Sequence, residues 1–211
     1  MSKKTEFKSD LEKIVRIFFL CKESYLVLRE LYKTVDNTDY IINLKFKGPF
    51  FTLTKVNYWR IIALQLSKIY VERERFNIIK LLEKCKKGGY FASINLNQDF
   101  IEEQLYMISQ KQKYIEHIKL QRDKIFAHED ADNAELANDL TLDETKDLID
   151  LCQNILFKMY GEVYETHFDF EMRSSAVDNL KKILTSLNER EIQKEMEEKR
   201  ILDEYKKLRN Q

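Results

Sequence analysis

The chain has 211 residues, enough for one large helical domain, and its four glycines and single proline leave few residues that favour turns. This scarcity, with 34% charged and 44% hydrophobic residues, predicts an all-α fold of long helices. Lysine and arginine together number 36, as do aspartate and glutamate, and this balance argues against a protein that coats RNA or DNA non-specifically.

The cysteines and the apolar runs exclude several other classes of protein. Cys21, Cys85 and Cys152 are odd in number and far apart, which predicts buried thiols and neither a disulfide framework nor a zinc site. No apolar run approaches the ~18 residues that a membrane span requires, and the N-terminus lacks the apolar core of a signal peptide. We therefore expect a cytoplasmic protein with no membrane contact, no metal and no other cofactor.

Apolar residues recur at helical spacing in several segments, which predicts an up-and-down bundle of about five or six helices. Ser9 and Glu12 form a capping-box pattern at the start of the first helix, and Thr141 with Glu144 repeats the pattern before a later one. Residues 40–51 lack this spacing and are predicted to form a loop. The predicted helices cover approximately residues 9–35, 54–74, 76–85, 95–127, 141–166 and 174–211.

Two local features of these helices have structural explanations. Trp59 falls on the apolar face of the second helix, where core packing explains it better than a ligand platform does. Gly88 and Gly89 follow two lysines, but no strand-loop-helix pattern of a phosphate-binding loop surrounds them. We interpret this glycine pair as the end of the third helix.

The last predicted helix changes character at residue 189. Beyond that residue charged side chains dominate, and the apolar residues form only a narrow stripe. Such a stripe is typical of a coiled-coil seam or a solvated helix. We therefore divide the chain into a helical bundle over residues 1–188 and a charged helical extension over residues 189–211. The apolar residues of the extension are Ile192, Met196, Ile201, Tyr205 and Leu208.

A polar motif stands at the end of the long helix predicted over residues 95–127. Arg122 falls on the apolar stripe of this helix, where a charge is costly unless it is paired or faces a wet cleft. His128 follows where the helical pattern gives way to an acidic stretch. A cation and a group that titrates near neutrality therefore come together at one helix end. The stripe consists of Ile101, Leu105, Ile108, Ile115, Ile118 and Ile125.

The string Arg122-Asp123-Lys124-x-x-Ala127-His128-x-Asp130 resembles the signature of HEPN domains, an Arg followed after four to six residues by a His. The full string is similar to the AbiU-type abortive-infection branch, and the segment of residues 59–64 is similar to that branch as well. The resemblance covers roughly residues 10–170. It implies a helical domain that pairs with a second copy, so that two histidines and two arginines share one cleft.

The chemistry of these residue types suits a metal-independent endoribonuclease of the toxin or phage-defence kind. His128 is suited to proton transfer, Arg122 to binding the phosphate, and Asp123 to orienting either of them. Lys119 and Lys124 are candidates for binding the RNA substrate. An antitoxin or regulatory protein is a further partner that this hypothesis allows.

Helical geometry constrains the motif. At ~100° per residue His128 lies ~120° from Arg122 around an unbroken helix, so we expect the helix to loosen near Ala127 or Asp130. Glu129, Asp130 and Asp132 lack the pattern of a calcium loop and are interpreted as a solvated acidic stretch.

Three hypotheses for the function remain open. Besides the ribonuclease, the chain is consistent with a non-catalytic HEPN-type module that binds a nucleotide, RNA or protein, and with a helical interaction protein in which the motif is incidental. In the last case Arg122 pairs with a carboxylate of another helix and His128 is an exposed cation. No such motif surrounds His117 or His167, and both are interpreted as structural.

Overall fold

The computed structural model describes residues 2–36, 48–71, 76–126, 140–164 and 175–209. These residues form helices and no strand, which confirms the predicted all-α bundle with a long C-terminal helix. No helix in these ranges is both long and apolar enough to cross a membrane. The α-helices are α1 (Lys3–Asp36), α2 (Pro49–Tyr70), α3 (Ile78–Cys85), α4 (Gln98–Gln110), α5 (Gln112–Leu120), α6 (Leu142–Tyr164) and α7 (Ser175–Arg209).

The chain divides into two compact units, and each is described by itself. The first unit contains Met1–Tyr25 and Tyr58–Met172, and the second contains Leu26–Asn57 and Arg173–Gln211. The apolar faces of the helices in the first unit form a core, as their helical spacing predicts. Buried side chains of this core include Phe7, Leu11, Phe18, Ile62, Leu66, Tyr70, Ile101, Ile118, Ile155 and Leu156.

Helix α1 starts earlier than predicted. Ser9 and Glu12 lie inside it, so the capping box assigned to them is wrong. Ser2 caps the helix instead, because its hydroxyl oxygen accepts the backbone N–H three residues later at 3.2 Å. Phe7 is fully buried, and its ring packs edge-on against that of Phe91 with 5.4 Å between the centroids. This long-range aromatic contact stabilises the additional turns.

Helix α2 also starts earlier, at Pro49 and not near Thr54. Proline suits the first helical position because its missing N–H would have no helical partner there. The end of the loop predicted over residues 40–51 is therefore helical, and residues 37–47 lie outside the described residues. Trp59 is only half-buried, so its assignment to the core is wrong in degree. The other predicted residues of this face are buried: Ile62, Ala63, Leu66, Ile69 and Tyr70.

Asparagines cap the next two helices. Asn77 Oδ1 accepts two backbone N–H groups of the first turn of α3 at 2.8 and 3.1 Å, and Asn97 Oδ1 accepts one of α4 at 3.2 Å. Helix α3 ends at Cys85, as predicted, but its C-cap is Lys86, and the glycine pair lies in the turn that follows. Gly88 has φ +82°, and a Cβ at Gly89 would lie 2.4 Å from the carbonyl oxygen of Lys84.

The single helix predicted over residues 95–127 is wrong, because the chain breaks at Lys111 into α4 and α5. The hydroxyl of Ser109 donates to the carbonyl of Tyr106 at 2.7 Å, a local bond of the kind that bends helices. Lys111 also forms an ion pair with Asp147 of α6 at 2.7 Å. A contact between distant segments thus accompanies a break that apolar spacing does not reveal.

The capping box predicted for α6 is confirmed. The backbone N–H of Glu144 donates to Thr141 Oγ1 at 3.1 Å, and the N–H of Thr141 donates to Glu144 Oε2 at 2.8 Å. Tyr160 was predicted to lie on the buried face and is half-buried. The remaining predicted residues of that face are buried: Leu148, Ile149, Cys152, Ile155, Leu156 and Met159.

Helix α7 begins at Ser175, as predicted, and continues through residue 189 without a break. The apolar residues at helical spacing in its first half are predicted to face the bundle: Val177, Leu180, Ile183, Leu184 and Leu187. Of these only Leu184 is buried, packed against Phe51 and Leu180 in the second unit. Every residue over 193–209 is exposed. The division of the chain at residue 189 stays a prediction.

The capping box generates a prediction about stability. Thr141→Ala removes the hydroxyl that satisfies a first-turn N–H of α6 and should lower the free energy of unfolding by about 1 kcal/mol. Urea denaturation followed by circular dichroism measures the difference. Thr54→Ala is the matched control, because the Thr54 hydroxyl donates to the carbonyl of Phe50 inside α2 and caps nothing. Equal losses in the two variants would contradict the role of the cap.

The cysteines generate a second prediction. All three are buried, and burial raises the pKa of the Cys85 thiol to about 12 and shifts those of Cys21 and Cys152 in the same direction. Because the thiolate is the reactive form, the native protein should not react with a thiol reagent even at pH 9. After the protein is unfolded in guanidinium, a chromogenic thiol reagent should titrate three thiols. Rapid labelling of the native chain would show that one of these thiols is accessible.

Candidate functional site

The motif begins in a widened helical turn. Residues Gln121–Phe126 follow α5 directly as a π-helix, in which hydrogen bonds connect residues five apart. The helix therefore departs from α geometry earlier than the loosening predicted near Ala127 or Asp130. Gln121 is buried at the start of this turn, and the side chain of Arg122 is 19% exposed. Short π segments of this kind frequently occur at functional sites.

The guanidinium of Arg122 is oriented by its neighbour in the chain. Arg122 Nε donates to Asp123 Oδ1 at 2.7 Å, a charge-assisted hydrogen bond. The Asp123 carboxylate is 48% exposed, so water screens the pair and its contribution to stability is small. The contact matters through geometry, because it fixes the edge of the guanidinium that carries Nε. The sequence allowed Asp123 to orient either Arg122 or His128, and the described residues include its hydrogen bond with Arg122.

The structure describes some of the other candidate residues fully and others only in part or not at all. Lys119 lies exposed in the last turn of α5, three residues before Arg122, and residues at this spacing are neighbours on a helix. Lys124 has its backbone in the π segment, whereas its side chain lies outside the described residues. His128 and the acidic stretch that follows it also lie outside them. The structure thus brings Lys119, Arg122 and Asp123 together on one stretch of helix.

A cleft of about 330 Å³ opens beside this stretch in the first unit. Its apolar wall is formed by Val71, Ile79 and Ile115. Three of its polar residues come from one face of α5, where residues 112, 116 and 119 recur at helical spacing, and Tyr70 comes from α2. A volume of this size lies at the lower end of the range for small-molecule sites. The cleft is lined by Tyr70, Val71, Ile79, Gln112, Ile115, Glu116 and Lys119.

The polar groups of the cleft differ in their availability to a ligand. Gln112 Nε2 donates to Glu116 Oε1 at 3.2 Å, so each holds the other in place. Lys119 has no ion pair with any carboxylate that the structure describes. The hydroxyl of Tyr70 donates to the carbonyl of Leu148 at 2.6 Å. Burial raises the pKa of the Tyr70 phenol well above its ordinary value, so it stays protonated and is not an acid-base group near neutral pH.

Sequence reasoning missed Gln112 and Glu116. The signal that could have revealed them is the spacing of four and three residues that leads from Gln112 through Glu116 to Lys119 on one face of a helix. His117 lies on α5 but not among the residues that line the cleft, and its buried Nδ1 has no partner within the described part of the chain. His167, also interpreted as structural, lies outside the described residues. The described residues contain no group of three side chains arranged to hold a metal ion.

The comparison with protein families confirms the resemblance to the AbiU-type branch of HEPN domains. The HEPN family model described as AbiU2 matches residues 11–183, a range that includes the candidate site and the first turns of α7. No curated protein and no solved structure matches the chain. The matched range exceeds the resemblance over residues 10–170 at its C-terminal end. With most of its length matched by this one model, the chain belongs to the AbiU2 family of HEPN domains.

Proposed function

We propose that this protein is a dimeric, metal-independent endoribonuclease that cuts RNA with Arg122 and His128. The observation that carries the proposal is the Arg122 guanidinium, 19% exposed and held at 2.7 Å by Asp123, within the motif of a chain from an abortive-infection family. A guanidinium retains its charge even when it is mostly buried, and it is a strong ligand for a phosphoryl group. Orientation by a carboxylate aims it before the substrate arrives.

The reaction transfers a phosphoryl group within the RNA. One histidine removes the proton of the ribose 2′-hydroxyl, and the 2′-oxygen forms a bond to the neighbouring phosphorus while the bond from phosphorus to the 5′-oxygen breaks. A second, protonated histidine gives its proton to the departing 5′-oxygen. The products are a 2′,3′-cyclic phosphate and a free 5′-hydroxyl. Arg122 stabilises the charge that accumulates on the phosphoryl oxygens.

A second copy of the chain supplies what one protomer lacks. The acid and the base are two different protonation states of histidine, and each motif contains one histidine, His128. A two-fold axis uses the same surface of both protomers, so pairing through the motif brings two copies of His128 and Arg122 into one cleft. Lys119, one turn before Arg122, extends the positive charge along the path of the RNA backbone.

A non-catalytic module is the second candidate function, and the cleft beside α5 favours it. Lys119 and the Gln112–Glu116 pair give that cleft a cation, an amide and a carboxylate above an apolar wall. Such a combination is suited to holding a nucleotide without cutting it. A neutral net charge agrees with binding at one local site better than with a broad RNA surface.

The proposed chemistry generates a third prediction. His128→Ala and Arg122→Ala should each lower the rate of RNA cleavage by ~10²-fold or more, because each removes transition-state stabilisation. Cleavage of a labelled RNA under single-turnover conditions measures the effect. EDTA should leave the rate unchanged, since neither proton transfer nor phosphate binding is assigned to a metal. Replacing the ribose at the cleavage site by deoxyribose should stop the reaction.

Matched variants separate the motif from general effects of substitution. His167→Ala and Arg200→Ala remove the same residue types elsewhere, and Arg200 lies exposed on α7 beside Glu197. Both should cut RNA at the wild-type rate. Asp123→Asn keeps the shape but removes the charge that orients Arg122, so its loss should be smaller than that of Arg122→Ala. The ribonuclease proposal fails if the purified protein cuts no RNA, or if the double variant of Arg122 and His128 cuts as fast as wild type; retained nucleotide binding would then support the module.

Dimerisation is a fourth prediction. Light scattering at micromolar concentration should give twice the mass of the 25.5 kDa chain. The pH dependence of cleavage should rise and fall around neutrality, since one histidine acts deprotonated and the other protonated, and the two apparent pKa values belong to the pair. A monomer with full activity would contradict the shared cleft.

A further inference from the structure

Helix α7 carries exposed apolar side chains along one face. Five of them are grouped toward the two ends of the face, and their exposure ranges from 38% for Leu187 to 71% for Leu208. Residues 187, 194, 201 and 208 are spaced by seven, which is the repeat of a coiled coil. We name this face the α7 stripe. It consists of Ile183, Leu187, Glu191, Lys194, Glu198, Ile201, Tyr205 and Leu208.

Charged residues occupy the middle of the α7 stripe. Lys194 and Glu198 lie one turn apart, with 3.8 Å between Nζ and Oε1, and their side chains are 62% and 65% exposed. A pair this exposed contributes little to stability. Their positions within a heptad face are therefore the informative feature, because charges at such positions select how two helices align.

Within the part of the chain that the structure describes, no residue covers the α7 stripe beyond residue 192. All residues over 193–209 are exposed. This part of the helix is ~25 Å long, and no packing stabilises it within the described residues. An amphipathic helix in water is marginal unless its apolar face packs against something. The α7 stripe has two apolar ends and a charged middle, so a helix with the same arrangement is a complementary partner. A second copy of α7 has this arrangement.

We propose that α7 pairs with α7 of a second copy in an antiparallel coiled coil centred near residue 196. In this register Leu187 packs against the partner's Tyr205, and Leu208 packs near the partner's Ile183. Lys194 lies opposite the partner's Glu198, and the two-fold axis repeats each contact. Leu187, Tyr205 and Leu208 are then covered by apolar side chains, whereas Ile201 lies opposite the partner's Glu191.

Charge excludes the parallel alternative. In a parallel pair each residue faces its own copy, so Lys194 would lie beside the partner's Lys194 and Glu198 beside the partner's Glu198. Like charges at a partly dehydrated seam repel strongly because the dielectric constant there is lower than in water. In the antiparallel register Glu197 faces its own copy near the axis, but this contact lies at the solvated rim, where repulsion is screened. Leu187, Tyr205 and Leu208 meet apolar side chains in both orientations. The charged positions decide between the orientations, because a parallel pair would also place Glu191 beside the partner's Glu191.

This pairing does not depend on the ribonuclease proposal. The α7 stripe belongs to the second unit, and the family match ends at residue 183, where the stripe begins. Because the ribonuclease proposal also expects a dimer, the experiment must detect contacts of α7 itself and not only the mass of the protein. Cysteine cross-linking meets this condition, because the natural cysteines are buried.

Cross-linking of the full-length protein is the fifth prediction. A mixture of Leu187→Cys chains with Tyr205→Cys chains should form a covalent dimer under mild oxidation, because these positions face each other only in the antiparallel register. Either variant alone should remain uncross-linked. A covalent dimer of Leu187→Cys with itself would demonstrate a parallel pair and overturn the proposal. Absence of a cross-link in every mixture would overturn it as well.

Charge reversal in the same cross-linking pair tests the register. Lys194→Glu in both chains places glutamate opposite the partner's Glu198 and should lower the rate of cross-linking by about tenfold, equivalent to ~1.4 kcal/mol. Adding Glu198→Lys to the same chains restores opposite charges and should restore the rate. Lys199→Glu, outside the α7 stripe, is the matched control and should have no effect. Failure of the double reversal to recover would contradict the contact between Lys194 and the partner's Glu198.

Discussion

The hydrogen bond from the buried phenol of Tyr70 to the carbonyl of Leu148 fixes the end of α2 against α6 at 2.6 Å. Its donor and acceptor lie far apart in the sequence and are both removed from water, so breaking the bond would leave a buried polar group unsatisfied. The same tyrosine forms part of the cleft beside α5. A contact within the core therefore determines the position of one wall of the candidate site.

The placement of Arg122 shows how a charge is accommodated near a core. The apolar stripe of α4 and α5 leads to Arg122, where an aliphatic side chain would pack at no electrostatic cost. The turn widens at Gln121, and Asp123 supplies a charge-assisted bond at 2.7 Å. This arrangement offers little stability, because the carboxylate is half exposed. Its value is that an oriented guanidinium needs no reorganisation when a phosphate binds, which supports the proposed chemistry.

Helix α7 presents the opposite situation, in which several apolar side chains of a long helix are exposed. Leu184 is buried within the second unit, whereas Ile201 and Leu208 further along are more than half exposed. Continuous helix across both parts keeps the exposed face in a single register. If the motif and α7 both pair across a two-fold axis, the two contacts reinforce each other by raising the effective concentration of the second.

The sequence by itself determined the features that depend on neighbours within about one helical turn. The α6 capping box, the end of α3 near Cys85 and the apolar faces of α2 and α6 are of this kind, because caps and helical spacing are local. The motif at Arg122 was also recognisable, since residue types and short spacing define it. Tertiary structure decided the rest. Helix α1 starts early because Phe7 meets Phe91, Lys111 pairs with Asp147 where the motif helix breaks, and the cleft exists because three helices meet. These features depend on contacts between distant segments, which helical spacing within one segment does not encode.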